Sequence, residues 1–231
     1  LKNLNSVIKT CENISESLSK CHADGFFPLF LGGDHSCAMG TISAAARNYD
    51  DLGLIWIDAH PDINTHDTTV TGNIHGMPVA AMLGLGDRRL TDIGGDFTKL
   101  KPENIVMIGL RDIDPPEQEI LDRLSIKYYT YWQAEETGLK RCALEAAEYL
   151  RRCRAVHVSF DIDVTDPQIF PGVSVPVPEG FTGGQSLQLL GDIMDMLPVK
   201  SLDIVEYNRA HDREDRTAEF MRELISAVAE K

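Results

Sequence analysis

The chain lacks the clustered basic residues that a nucleic-acid-binding surface requires. Its 231 residues include 22 Lys and Arg against 36 Asp and Glu, which gives a formal net charge of -14, and the basic residues are scattered along the sequence. Binding to a phosphate backbone depends on grouped positive charge. The composition therefore argues against a nucleic-acid partner.

Long apolar runs and paired cysteines are also missing. No apolar run approaches the roughly 20 residues of a membrane span, and residues 1–10 lack the charged-then-apolar pattern of a signal peptide. The five cysteines form no C-x-x-C pair, and their odd number fits a disulfide framework poorly. We therefore expect a soluble, cytoplasmic protein with reduced thiols and no membrane partner.

The order of apolar patterns predicts the fold. With 43% apolar residues and no shift in composition, the chain is long enough to bury one large core, which predicts a single domain over residues 1–231. Short apolar runs alternate with segments of helical periodicity, as in α/β proteins whose mostly parallel sheet is covered by helices on both faces in three layers. Strands are predicted at 27–31, 53–57, 105–110, 126–131, 155–160 and 201–205, and helices at 4–22, 36–49, 77–85, 116–124, 139–153, 185–197 and 216–229.

Three of the predicted strands end in side chains that bind metals. In an open parallel sheet, ligands bind outside the carboxyl ends of the strands, so these side chains should converge in one crevice. Taken alone, an Asp at a strand end is more often a helix cap or a turn former, but the coincidence of three motifs favours a metal site. The six candidates are His35, Asp58, His60, Asp62, Asp161 and Asp163.

Four aspartates and two histidines form an oxygen-rich ligand set. Such a set suits a hard divalent ion such as Mn²⁺ better than the thiolate-rich sets of structural zinc. Two ions about 3.5 Å apart, bridged by carboxylates, would use all six ligands and would lower the pKa of a shared water. The sequence therefore predicts metal-dependent hydrolysis with two Mn²⁺ per chain. His157 is interpreted as a packed strand residue, and Cys37 as a small buried hydrophobic residue rather than a nucleophile.

Three segments carry a resemblance to a known family. Gly32 to Ser36 (GGDHS), Asp58 to Asn64 (DAHPDIN) and Ser159 to Asp163 (SFDID) resemble, in order and spacing, the signatures of the arginase/agmatinase (ureohydrolase) family. The resemblance implies an arginase-like fold, attack of a metal-bridging hydroxide on a guanidinium carbon, and a homo-oligomer, either a trimer or a hexamer. It also implies that one Mn²⁺ is held by His35, Asp58, Asp62 and Asp161, and the other by Asp58, His60, Asp161 and Asp163.

The segments around these signatures resemble the arginases within the family, which implies L-arginine as the substrate and L-ornithine and urea as products. His75 then corresponds to the proton shuttle, Glu206 to the carboxylate that pairs with the guanidinium, and Asp163 to a ligand that takes part in catalysis. A carboxylate matches the planar fork of a guanidinium, and an imidazole can protonate a leaving amine near neutral pH. The resemblance implies that the α-carboxylate is held by Asn64, Thr71 and Asn73, the α-ammonium by Asp114 and Glu117, and that Val175 lies near the guanidinium.

The sequence departs from the family pattern in ways that keep alternatives open. Val175 stands where the family has a threonine, and residues 179–185 differ from the family segment at the rim of the site. These changes favour, as an alternative, another amidinohydrolase that acts on agmatine, guanidinobutyrate or formiminoglutamate. Family members also extend before the point that corresponds to Leu1, so we expect an amino-terminal truncation. A metal-binding but catalytically silent fragment is therefore the third hypothesis.

Overall fold

A computed structural model describes residues 1–231 as a six-stranded, wholly parallel sheet with helices on both faces. This confirms the predicted α/β class and the three-layer arrangement. Along the sheet the strands follow the order β1-β6-β5-β2-β3-β4. The strands are β1 Leu29–Leu31, β2 Gly53–Ile57, β3 Ile105–Leu110, β4 Lys127–Thr130, β5 Val156–Asp161 and β6 Val199–Val205.

The helices divide between the two faces of the sheet according to their place in the chain. Apolar residues of the first five helices pack on one face, and those of the last four pack on the other. The helices are α1 Leu4–Ala23, α2 Ala38–Ala46, α3 Pro78–Met82, α4 Arg88–Thr91, α5 Pro115–Leu124, α6 Tyr131–Thr137, α7 Leu139–Tyr149, α8 Gly183–Met196 and α9 Arg216–Ala229. None of them combines the length and the apolar composition that crossing a membrane requires.

Strand β2 shows why this sequence makes a buried central strand. All five of its residues are buried, as expected where helices cover both faces of a parallel sheet. Because side chains alternate between faces, Leu54 and Trp56 enter the core beneath the first five helices, whereas Ile55 and Ile57 enter the opposite core. The same apolar run thus contributes to both cores and fixes the register of the strand.

The strand order creates a switch point between β2 and β5. From β2 the chain continues outward through β3 and β4, then returns to β5 on the other side of β2 and continues to β6. At such a point the loops that leave two neighbouring strands run in opposite directions and leave a crevice at the carboxyl edge. Asp58 directly follows β2, and Asp161 ends β5, so the predicted ligands flank this crevice.

The predicted elements differ from the structure mainly at their ends. The helix predicted over 77–85 ends at Met82, and Gly84 follows with φ 79°. Tyr131, predicted to end a strand, instead begins α6, because Thr130 and Gln133 form a reciprocal capping box. Sequence periodicity did not predict α4 or α6, since helices of 4 and 7 residues are too short to show a repeating apolar face.

Candidate metal centre and active site

The first ligand group surrounds Nδ1 of His35, which follows β1. This atom lies 3.0 Å from Oδ2 of Asp58, 3.2 Å from Oδ2 of Asp62 and 3.0 Å from Oδ2 of Asp161. The ring of His35 stacks on Trp56, with the centroids 3.9 Å apart and the planes 5° from parallel. The side chain is therefore buried and fixed in orientation, with one nitrogen facing three carboxylate oxygens.

The second group surrounds Nδ1 of His60. This atom lies 3.1 Å from Oδ2 of Asp163 and 3.5 Å from Oδ1 of Asp58. The exposed carboxylate of Asp112 approaches the other ring nitrogen, with Oδ2 3.6 Å from Nε2. His60 is thus held between a buried pair of carboxylates and one at the surface.

Asp58 belongs to both groups, because Oδ2 faces His35 and Oδ1 faces His60. The chain therefore contains two adjacent His/Asp groups suited to a binuclear metal site. The residues fit such a site, since the buried Nδ1 of His35 and Oδ2 of Asp58 make no hydrogen bond although they lie 3.0 Å apart. Asp161 contributes Oδ2 to the first group, while its Oδ1 accepts a hydrogen bond from the backbone N–H of Asp163 at 2.7 Å.

The charges at this edge of the sheet are crowded. Burial and the charge of Asp58 raise the pKa of Asp62 to about 6. Burial and neighbouring carboxylates likewise raise the pKa values of Asp161 and Asp163. Burial alone would raise the pKa of Asp58, but the adjacent His35 and His60 hold it below its usual value. A divalent cation would relieve this repulsion.

A cleft of about 270 Å³ opens above the two groups. Seven acidic side chains line it, no Lys or Arg does, and its remaining lining is mostly amide, hydroxyl and imidazole. Such a lining favours a cationic small molecule. The lining residues are His60, Asp62, Asn64, Thr69, Val70, Thr71, Asn73, His75, Gly76, Asp112, Asp114, Glu117, Asp161, Asp163, Val175 and Glu206.

All six residues predicted to bind substrate line this cleft, although their roles remain predictions. Asn64 donates to Oδ2 of Asp114 at 3.1 Å. The carboxylate of Glu117 is buried, and it accepts the backbone N–H groups of Asp114 and Ile63, both at 3.1 Å. Burial and the charge of Asp62 raise the pKa of Glu117 to about 8. Glu117 therefore connects the segment that follows β2 to the start of α5, in addition to lining the cleft.

The predicted catalytic residues His75 and Glu206 lie together in the cleft, with Nδ1 3.3 Å from Oε1. Oε1 of Glu206 also accepts the backbone N–H of His35 at 2.7 Å. The hydrogen bond with Glu206 raises the pKa of His75. Glu206 and Asp62 both adopt left-handed backbone conformations, with φ of 64° and 47°. Such conformations cost a non-glycine residue on the order of 1–3 kcal/mol and are frequent at functional sites.

Sequence reasoning missed Arg111, which ties two loops of the site together. Its guanidinium donates to five backbone carbonyl groups, at distances from 2.7 to 3.3 Å. Three of these carbonyls belong to residues 163–165, just after β5, and two belong to residues 177 and 178, beyond Val175. Only the order of the strands brings these segments together, so no local motif could have identified the contact.

The parallel sheet, the switch-point crevice and the paired His/Asp groups define an α/β protein with a candidate binuclear metal site. Residues 2–229 match the model of the arginase family. The chain is 39% identical to an arginase of Bacillus subtilis over its whole length and 78% of that protein, and 43% identical to an arginase of Brevibacillus brevis over 98% of the chain and 76% of that protein. A crystal structure of B. subtilis arginase superposes with a TM-score of 0.97, covering 100% of this chain and 80% of that one. The chain belongs to the arginase family.

Proposed function

We propose that the protein is a binuclear manganese hydrolase that converts L-arginine to L-ornithine and urea. The observation that carries this proposal is the position of Asp58, which presents one carboxylate oxygen to each of the two histidines, beside aspartates that line an acidic cleft. His35, Asp58, Asp62 and Asp161 would hold one ion, and Asp58, His60, Asp161 and Asp163 the other. When bound, the ion pair would supply hydroxide at neutral pH.

The chain's own residues would orient the substrate and move its protons. Glu206, which the backbone of His35 holds in place, would pair with the guanidinium through its two oxygens. His75, partly exposed in the cleft, would protonate the leaving amine, and its pairing with Glu206 keeps it protonated to a higher pH than an isolated imidazole. Asp163 would hold His60 and remain close to the reacting carbon.

The far end of the cleft distinguishes an amino acid from a simple amine. Asn64, Thr71 and Asn73 would bind the α-carboxylate, while Asp114 and Glu117 would face the α-ammonium. Oδ1 of Asn73 accepts a hydrogen bond from the ammonium of Lys2 at 2.9 Å, which places a positive charge next to this end of the cleft, although Lys2 does not line it. We further propose that residues 1–231 act as one ureohydrolase domain, because the two cores share a single sheet.

The substitution Asn73→Asp tests this assignment. It preserves the shape of the side chain and its contact with Lys2, but it adds a negative charge that repels a carboxylate. We expect kcat/KM for L-arginine to fall at least tenfold more than kcat/KM for agmatine, which has no carboxylate. Equal losses for both compounds would contradict the assigned orientation. Asn48→Asp is the matched control, because Asn48 follows the end of α2, donates to the carbonyl of Ala44 and does not line the cleft.

Another amidinohydrolase is the second candidate, and one observation favours it. Val175 lines the cleft and is 41% exposed. It offers a substrate no hydroxyl, whereas the family pattern has a threonine at this position. A higher kcat/KM for agmatine, guanidinobutyrate or formiminoglutamate than for L-arginine would select this candidate. Binding of two metal ions without hydrolysis of any of these compounds would instead support a catalytically silent protein.

A further inference from the structure

A row of buried polar side chains leads from His35 into the sheet. Nε2 of His35, the nitrogen opposite the ligand group, lies 2.9 Å from Oγ of Ser159. The hydroxyl of Ser159 donates to Oδ1 of Asp203. All three side chains are at most 1% exposed. The contact is therefore shielded from water, and Ser159 joins His35 directly to a carboxylate.

Asp203 is held by partners on two other elements, β5 and α2. Nε2 of His157 lies 3.0 Å from its Oδ2, and Thr41 of α2 also donates to this oxygen. Burial alone would raise the pKa of Asp203, but the contact with His157 holds it below its usual value. Asp203 is thus an ionised, acceptor-only group. The strand register explains the arrangement, since Ser159 pairs with Asp203 and His157 pairs with Ser201 across β5 and β6.

The direction of these hydrogen bonds determines the state of His35. A serine hydroxyl has one proton to donate, and Ser159 donates it in the hydrogen bond to the carboxylate of Asp203. The oxygen of Ser159 can then only accept from His35, so Nε2 must carry the ring proton. In the neutral ring, Nδ1 keeps its lone pair and points it at the oxygens of Asp58, Asp62 and Asp161. This is the tautomer that binds a metal ion.

We propose that Asp203 is a positioning residue for the metal centre and acts on His35 through Ser159. The inference rests on the proposed function, because it assigns Asp203 a role only if the His35 group binds a cation. His157 and Thr41 complete the hydrogen bonding of Asp203. Ser201 in turn contacts Nδ1 of His157 at 2.8 Å and so orients that ring. An ordinary buried polar group needs only to have its hydrogen bonds made. Asp203, in contrast, must accept from Ser159, because only then does Ser159 accept from Nε2 of His35.

The substitution Asp203→Asn keeps the shape of the side chain but allows the hydrogen bond between residue 203 and Ser159 to reverse its donor and acceptor. The new amide can donate to Ser159, whose proton is then free to face Nε2 of His35 and to favour the tautomer protonated at Nδ1. We expect the Mn²⁺ affinity, measured by equilibrium dialysis of chelator-treated protein, to fall about 10- to 100-fold. Ser43→Ala removes an equally buried hydroxyl that donates to Ile93 at 3.0 Å; it should lower stability without changing the affinity.

Ser159→Ala is the second variant, and it tests whether Asp203 acts on His35 through Ser159. It should weaken Mn²⁺ binding to a similar extent, and adding Asp203→Asn to it should cause less than a further twofold loss, because residues that act in series are not additive. Additive losses, or an unchanged affinity in either single variant, would overturn the role of Asp203. If Asp203→Asn does not fold, the affinity of Ser159→Ala decides in the same way. Failure of the unaltered protein to bind Mn²⁺ would overturn the proposed function and this inference together.

Discussion

Nδ1 of His75 lies 3.3 Å from Oε1 of Glu206, although 131 positions separate the two residues in the sequence. His75 comes from the loop that follows β2, and Glu206 directly follows β6. The fold therefore places the proposed proton donor beside the carboxylate that is proposed to receive the guanidinium.

Replacing His75 tests its role as that donor. His75→Asn keeps a polar side chain but removes the titrating ring, so we expect kcat to fall about 10²- to 10⁴-fold while Mn²⁺ binding stays unchanged. Steady-state kinetics with Mn²⁺-loaded protein measure the effect. His66→Asn, in the same loop and partly exposed, is the control and should retain full activity. Normal activity of His75→Asn would exclude His75 as the proton donor.

The position of Asp58 predicts a loss of both metal ions from one substitution. Asp58→Asn removes the charge that both histidine groups share, so the bound Mn²⁺ should fall from two ions per chain to fewer than one. Metal analysis after gel filtration measures the stoichiometry. Asp96→Asn changes an exposed carboxylate and should leave two ions bound. Two ions retained by Asp58→Asn would contradict the shared-ligand geometry.

The sequence predicted the layers of the fold and the convergence of the candidate ligands because both depend on local patterns. Apolar runs such as Leu54 to Ile57 indicate buried strands, and the polar residues that follow them must lie at the carboxyl edge of a parallel sheet. The boundaries of β2, β3 and α9 agree with the prediction. Only the three-dimensional arrangement shows which oxygen of Asp58 faces which histidine.

The residues that sequence reasoning missed act across the sheet. His157 was correctly interpreted as a packed strand residue, but its link to Asp203 depends on the pairing of β5 with β6. A charged residue inside an otherwise apolar run, such as Asp203 between Leu202 and Ile204, was the available signal, because buried charges require partners. Arg111 gave no such signal, since its five acceptors are backbone groups.

Arg111 should matter for both stability and substrate affinity. Arg111→Lys keeps the charge, but one ammonium cannot reach carbonyls on both loops. Each buried carbonyl left without a partner costs about 1–3 kcal/mol, so we expect a lower free energy of unfolding. We also expect a higher KM, because the loop that carries Val175 is released. Urea denaturation and kinetics measure the two effects. The exposed Arg123→Lys is the control, and an unchanged KM would show that the contact is only structural.

His22 predicts a pH dependence of stability that is separate from the metal centre. Its ring is 6% exposed and has no hydrogen-bond partner, and burial lowers its pKa from 6.5 to about 4. In the unfolded chain His22 therefore binds a proton more readily than in the folded protein. The free energy of unfolding is unaffected by this titration above pH 6.5 and decreases as the pH falls from 6.5 toward 4.

His22→Phe keeps a ring against Tyr49 and removes the titration. In chelator-treated protein, the difference in unfolding free energy between pH 7 and pH 5 should be smaller for the variant than for the unaltered protein. Chelator treatment removes the contribution of metal loss in acid from both samples. Equal pH dependence would show that His22 titrates normally in the folded state.

The most direct test of the central claim is the release of urea from L-arginine by Mn²⁺-loaded protein, compared with the same protein after chelator treatment. The proposed chemistry predicts urea and L-ornithine in equal amounts from the loaded protein, a loss of activity after chelation, and its recovery when Mn²⁺ is restored. No urea from a folded protein that contains two Mn²⁺ per chain would contradict the assignment of L-arginine as the substrate.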